Sequence, residues 1–292
     1  MFGSRLWPNQ TLKPRFEYSP RLNGTNRLTD GLLAWWLMNE GAGPVNSVVE
    51  KSGALYKATT SGTPVPIWVR GQLGPSIQIA TSSVTTAPSF ISNLPPHLGL
   101  PVTIGVVVFP TLVDSSQKRI FSYTTGATND GYGIGTSLTT TNWEFSLGGV
   151  ANYAFTTLTL TVNNWYTYVV TASAAGGTAT AYLYNWNSET YQTQALTIGT
   201  PGGTTYTRIT LGDAPGLTSR NWVGSINQAA IWNRVLSAAE VRDFMFFPYG
   251  TSISPLLIVS PRRTYSIPQL GVESWGPNIS QPAPPKYVIL SF

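Results

Sequence analysis

Few side chains in this sequence could do chemistry. Its 292 residues include no cysteine and one histidine, with 12 Asp plus Glu and 17 Lys plus Arg. Without thiols there is no disulfide framework, no thiolate zinc site and no cysteine nucleophile. A single imidazole excludes metal sites built on two or three. A Ser-His-Asp triad would have to use His97, in Leu94-Pro95-Pro96-His97-Leu98, which reads as a proline-bounded loop, and no nucleophile-elbow glycine pattern occurs. Hydrolysis of a glycoside needs two carboxylates flanking the sugar. Glu144 stands alone in Asn142-Trp143-Glu144-Phe145, while Glu240 and Asp243 fall on a predicted helix where capping and surface roles explain them. The expectation is a protein without catalytic residues and without a cofactor.

Sugar binding would use exposed aromatic rings flanked by amides. Asn185-Trp186-Asn187, Asn142-Trp143 and Asn221-Trp222 have that composition. Trp143 and Trp222 sit at strand positions, where burial is the default. Trp186 follows a predicted strand at a hairpin tip, so Trp186, Asn185 and Asn187 are the glycan-binding candidates, against local packing of the ring or its contact with a partner. The sequons at Asn9, Asn23 and Asn278 are no more than an Asn-, Ser- and Thr-rich composition gives by chance.

The elements that must carry these residues are strands. Between residues 29 and 247, period-2 apolar patterning is bounded by Gly, Pro, Asn and Ser. Candidate strands are Leu32–Met38, Ser76–Ile79, Thr103–Pro110, Arg119–Tyr123, Gly131–Gly135, Trp143–Leu147, Tyr153–Leu160, Trp165–Ala172, Thr178–Asn185, Gln192–Ile198, Thr207–Leu211 and Gly224–Trp232. One helix is signalled, Ala238–Phe246: Ser237 and Glu240 form a capping box and Pro248 follows. A dozen short strands with one short helix predict an all-β fold, two antiparallel sheets packed as a sandwich.

Charge and proline divide the chain differently. Only 10% of residues are charged, the net charge is +5, and the excess lies in the ends, 1–28 and 248–292, which also hold half of the 22 prolines. Proline fixes φ and lacks an N–H, so these ends are predicted to be extended arms. They are too apolar for solvated linkers. Their candidate contact residues are Arg5, Trp7, Arg15, Phe16, Tyr18 and Arg21 at one end, and Arg262, Arg263, Tyr265, Trp275, Tyr287 and Phe292 at the other. Such arms either wrap the protein's own sandwich or clasp a neighbouring subunit. No Lys/Arg run exceeds two and no nucleic-acid motif occurs, so nucleic acid is not an expected partner. The longest apolar runs, Leu32–Met38 and Ile104–Pro110, fall far short of the roughly 18 residues that span a bilayer. The first residues lack the apolar run of a secretory signal, so no membrane and no export are expected.

In order, the segments resemble the laminin-G-like, concanavalin-A-like jelly-roll family. Asp30-Gly31-Leu32-Leu33-Ala34-Trp35-Trp36-Leu37-Met38-Asn39-Glu40-Gly41-Ala42-Gly43 is similar to the family's opening strand and turn. Lys51-Ser52-Gly53, Gly71-Gln72-Leu73-Gly74-Pro75-Ser76-Ile77 and Pro101-Val102-Thr103-Ile104 through Pro110 resemble the turn and strands that follow. Asn164-Trp165-Tyr166 with Thr180–Asn185 resembles the "W-Y-H-V … L-Y-V-N" pair. The long run from Trp222 through Ile231-Trp232-Asn233-Arg234 to Ser237-Ala238-Ala239-Glu240-Val241 resembles the closing strand and helix. Where the family usually has Asp-Glu in that strand, this chain has Asn227-Gln228.

The resemblance implies a jelly-roll sandwich over 29–247. It also brings calcium into question, since some relatives bind it; Asp130 and Asp213 are weak candidates and read equally well as turn residues. The glucanases of this fold carry an "E-x-D-x-x-E" strand, which is missing here. A proline-bearing tail after the closing helix, Phe246-Phe247-Pro248-Tyr249, is similar to such domains in tailed-phage structural proteins. The expectation is a non-enzymatic virion protein, a bacteriophage capsid decoration protein assembled in host cytoplasm. Its expected partners are other virion proteins (major capsid, portal or tail proteins) and further copies of itself. The alternative is a fibre or adhesin component that binds a host glycan.

Overall fold

The computed structural model describes residues 21–22, 26–38, 45–46, 57–61, 66–71, 74–79, 89–98, 100–113, 117–124, 131–137, 141–147, 151–200, 205–213, 220–246 and 252–253. Two compact units divide the chain, Met1–Leu256 and Leu257–Phe292, and all described residues lie in the first. In chain order the strands are β1 Arg21–Leu22, β2 Leu32–Trp36, β3 Val45–Asn46, β4 Lys57–Ser61, β5 Ile67–Gly71 and β6 Gly74–Ile79. Next come β7 Ser89–Leu98, β8 Val102–Pro110, β9 Lys118–Thr124, β10 Tyr132–Thr136, β11 Asn142–Leu147 and β12 Ala151–Thr159. The last are β13 Tyr166–Ala172, β14 Thr178–Asn185, β15 Thr190–Thr197, β16 Thr205–Leu211, β17 Gly224–Trp232 and β18 Ser252–Ile253. One helix, α1 Ala238–Phe246, stands between β17 and β18.

Two large antiparallel sheets result. The first runs β12-β11-β10-β9-β16-β7-β4-β3; the second runs β15-β14-β13-β8-β17-β6-β5, with β2 also on β17. The all-β jelly-roll sandwich expected from the sequence is the fold observed. Alternation builds the core: Tyr166, Tyr168, Val170 and Ala172 of β13 and Trp143, Phe145 and Leu147 of β11 face one another between the sheets.

The second sheet is covered on its other face as well. Val169, Ala230, Trp35 and Trp232 pack there under Val241, Phe244 and Met245 of α1, so β8, β13 and β17 read as continuous buried runs. Helix α1 starts at the expected box: Glu240 Oε2 accepts from Ser237 N at 2.8 Å and from Ser237 Oγ at 2.8 Å. Gly105 on β8 lets the helix sit close, since a Cβ there would lie 2.7 Å from Phe244 Cε1.

Several segments differ from their sequence reading. His97 lies in strand β7, opposite Tyr206, rather than in a loop. Pro95 and Pro96 fall where the β7–β16 register shifts between Tyr206 and Arg208, a bulge where missing N–H groups are tolerated. The boundary at 28/29 cuts through a 3-10 turn, Arg27–Thr29, that belongs to the sandwich. Leu28 is buried there, and its carbonyl accepts from Trp232 Nε1 at 2.7 Å. The roots of the two ends meet, because β1 pairs with β18, Arg21 opposite Ile253. The contact candidates Arg5, Trp7, Arg15, Phe16, Tyr18, Arg262, Arg263, Tyr265, Trp275, Tyr287 and Phe292 lie outside the described residues, as do Asp130 and the side chain of Arg21.

Candidate functional site

Among the described residues, the largest concentration of buried charge lies on the first sheet, on the face turned away from the inter-sheet core. Strand β11 alternates Trp143, Phe145 and Leu147 inward with Asn142, Glu144 and Ser146 on the opposite side. Trp143 braces it from within, its ring centroid 4.5 Å from Tyr168 and 5.3 Å from Tyr166. Gly135 of β10 stands between Glu144 on β11 and Arg119 on β9. Gly133 stands likewise between Ser146 and Ser122. These glycines leave a lane without side chains, and Arg119 crosses it: a Cβ on Gly133 would lie 3.4 Å from Arg119 Cδ.

Across the lane, Arg119 Nη1 donates to Glu144 Oε1 at 2.7 Å and Nη2 to Asn152 Oδ1 at 3.0 Å. Ser146 Oγ donates to the same Asn152 oxygen at 2.8 Å. Gln117 Nε2 also donates to Glu144 Oε1, and Arg220 Nη1 to Gln117 Oε1. The backbone joins the same groups, Arg119 N donating to Arg220 O at 2.8 Å. The Arg119 side chain is 0% exposed and that of Glu144 2%. Arg119 Nε and both side-chain polar atoms of the neighbouring Asn221 are buried with no hydrogen-bond partner among the described residues.

Burial pushes Glu144 above its ordinary carboxyl range, against the opposing pull of Arg119 and Gln117. Burial likewise lowers Arg119 and lifts Tyr168 well above the usual phenol, with the Glu144 charge adding to it. A raised carboxyl on a sheet face is the first thing a general acid would need. The second thing, a carboxylate across from it, does not occur among the described residues. Among the described residues, the charges acting on Glu144 are the guanidinium groups of Arg119 and Arg220. Among the described residues no three His, Cys, Asp or Glu side chains gather as a metal site would require. What the cluster can do is lock β9, β11, β12 and the segment before β17 together.

The sugar-binding candidates are placed elsewhere, with Asn187 exposed, Asn185 half-buried and the Trp186 ring buried rather than presented to solvent. Trp186 is 7% exposed. Its ring meets Tyr184 edge-on at 4.8 Å, and Nε1 donates to Thr167 Oγ1 at 2.9 Å. Val107 and Trp165 complete the cluster. The outward-facing side chains of β13 and β8 provide an apolar shelf with one hydroxyl, which suits an indole better than solvent does. Asn185 Oδ1 accepts from Asn187 N and Ser188 N, and Asn187 Oδ1 accepts from Trp165 N at 2.8 Å. Both amides therefore hold the turn. Asp213 is half-buried and its carbonyl accepts from Ser122 Oγ at 3.0 Å.

Trp143, in β11, and Trp222, which lies just before β17 rather than in a strand, are both fully buried. The amides at the departure from the family pattern are buried too. Gln228 Oε1 accepts from Trp35 Nε1 at 3.1 Å, and Asn227 Nδ2 reaches Pro75 O and Ser76 Oγ, both at 3.2 Å. Carboxylates at these positions would bury uncompensated charge. The sequence reading missed Arg119, Gln117, Asn152 and Arg220. Their signal is the spacing Gly131-Tyr132-Gly133-Ile134-Gly135 beside a strand whose polar face carries one acid.

Residues 80–242 match the Laminin_G_3 family, described as the concanavalin A-like lectin/glucanases superfamily. None of the curated proteins matches the chain. Solved structures similar to it include the binding domain of botulinum neurotoxin DC in complex with rat synaptotagmin II, at 12% identity and a TM-score of 0.54, covering 76% of this chain and 52% of that one. The binding domain of Paraclostridial Mosquitocidal Protein 1 follows at 16% identity and 0.51, covering 74% and 52%. Domain 4 of an extracellular arabinanase from Geobacillus stearothermophilus, in complex with arabinotriose, is similar at 14% identity and 0.48, covering 73% and 98%. The chain spans about half the length of the two toxin binding domains. At these identities the likeness is one of fold. By the match over 80–242, the chain belongs to the concanavalin A-like lectin/glucanase superfamily.

Proposed function

We propose that this chain is a non-catalytic recognition and assembly module, and specifically a structural protein of a virus particle of the bacteriophage decoration type, held in place by its ends. The observation that carries the non-catalytic reading is the state of Glu144: buried, bonded through Oε1 to Arg119 and Gln117, and faced among the described residues by the charges of Arg119 and Arg220. Glycoside hydrolysis needs a second carboxylate about 5–9.5 Å away. Two proteins sharing the fold are themselves binding domains, one in complex with synaptotagmin II, which supports recognition as the coarse role. Support for assembly comes from composition: 10% charged residues overall, with apolar, proline-rich, basic ends. Such ends gain order by burying apolar surface, at about 25 cal/mol per Å², against other subunits.

Deleting residues 1–25, which spares the 3-10 turn under Trp232, and separately residues 257–292, tests the assembly reading. Each truncated chain is expected to stay folded by circular dichroism and to lose incorporation into particles. Full incorporation of both would overturn it. A glycan array with the full chain addresses the adhesin alternative. Buried Trp186 predicts no binding through the 185–188 turn; reproducible binding abolished by Trp186→Ala would replace decoration with adhesion.

A further inference from the structure

Strand β15 ends the second sheet, and among the described residues no segment covers that edge. It pairs with β14 over eight residues, Thr190–Thr197, without a register shift. It holds no proline and no charged residue. Natural edges are usually blunted by one or more of proline, lysine, a bulge or a covering segment. The edge of the other sheet at this side is treated differently. On β12 the N–H and hydroxyl of Thr157 both donate to Gln194 Oε1, at 2.9 and 2.7 Å. At the far end of the second sheet, β5 is five residues long and carries the exposed Arg70.

Hydrogen bonds to β14 fix which backbone groups of β15 face outward. Ile198 N donates to Gly177 O at 2.9 Å, and Thr193 Oγ1 reaches Ala181 O, the carbonyl opposite Gln194, at 2.9 Å. Even-numbered residues therefore bond inward, and Tyr191, Thr193, Ala195 and Thr197 turn N–H and C=O to the open edge. Their side chains are exposed, Tyr191 by 41%.

We propose that β15 is a self-pairing edge: two copies of this chain join antiparallel through it, about a two-fold axis at Gln194, continuing the second sheet from one subunit into the next. Side chains of opposed residues must share a face, so partners must have the same parity. Centring on Gln194 sets Tyr191 against Thr197 and Thr193 against Ala195, and uses every outward group in about eight hydrogen bonds. No like charges meet in this register, since the nearest charged residue, Glu189, falls opposite Gly199. The interface is isologous and closed, so it forms a dimer and not a filament. It is independent of the assembly reading, because neither end of the chain takes part.

Sedimentation of the full chain from about 1 to 200 µM tests it. The apparent mass is expected to double across that range. Thr193→Lys with Ala195→Lys sets lysine against lysine and should leave a folded monomer. Thr193→Glu with Ala195→Lys sets acid against base and should restore the dimer, which separates repulsion from misfolding. The chain has no cysteine, so Gln194→Cys gives a clean cross-link: facing itself across the axis at a Cα separation near 4.5 Å, it should form a disulfide-linked dimer on mild oxidation, and Thr193→Cys should not. A wild-type monomer throughout, or a dimer indifferent to the paired lysines, would overturn the proposal.

Discussion

Replacing Glu144 by leucine is the sharpest probe of the buried cluster. The side chain it removes is 2% exposed and accepts from Arg119 and Gln117 through Oε1. Arg119, itself fully buried, would keep only the bond to Asn152 and would carry its charge uncompensated. Breaking one side of a buried pair costs about 3–5 kcal/mol. For a domain of this size each kcal/mol moves the midpoint by about 2–4 °C, so a fall near 10 °C is expected. Arg119→Met combined with Glu144→Leu removes both charges, fills the lane with apolar volume and should recover most of the loss. Thermal and urea denaturation of the wild type, both single variants and the double variant close the cycle, with a coupling of at least about 2 kcal/mol expected. A Glu144→Leu protein within about 0.5 kcal/mol of wild type would refute the locking role. If that stable variant had also lost a glycosidase activity, Glu144 would be catalytic, and the non-enzymatic reading would fall with it.

Two further outcomes follow from α1. Against the upward push of burial, Arg234 and the N–H and hydroxyl of Ser237 hold the Glu240 carboxyl at about 2, below its ordinary 4.5. A depressed carboxyl contributes stability above its unfolded pKa and loses it as pH falls through the folded one. Urea midpoints of wild type and Glu240→Gln should therefore differ at pH 6 and converge between about pH 4.5 and 2; a constant gap would exclude this linkage. Gly105→Ala would place a Cβ 2.7 Å from Phe244 Cε1, in a contact where Phe244 is buried and cannot swing away. A loss of about 1–3 kcal/mol is expected, relieved by adding Phe244→Leu, and an unchanged midpoint would show that α1 slides freely on β8.

The legible and illegible parts of this molecule separate by what each residue needs in order to be placed. Strand β14, Thr178–Asn185, and helix α1 were readable because alternation and a capping box are local, and both elements have the bounds the sequence predicts. Strand β7 was not, because Pro95-Pro96 marks a loop unless one knows that β7 bulges there against β16. Trp186 shows the same limit at a candidate site: its tip position was visible, but its burial depends on Thr167, Val107 and Trp165, which arrive from β13, β8 and the segment between β12 and β13. The buried pair is the extreme case. Arg119 and Glu144 are 25 residues apart and meet only because β10 places a glycine between them. Each alone reads as an ordinary charge on a half-exposed strand. The same argument explains why Glu144 by itself does not mark an active site. Burial and a raised pKa can be produced by packing a structural ion pair, whereas hydrolysis needs two acids brought across a sugar, and what the described part of the sheet brings to Glu144 is an arginine.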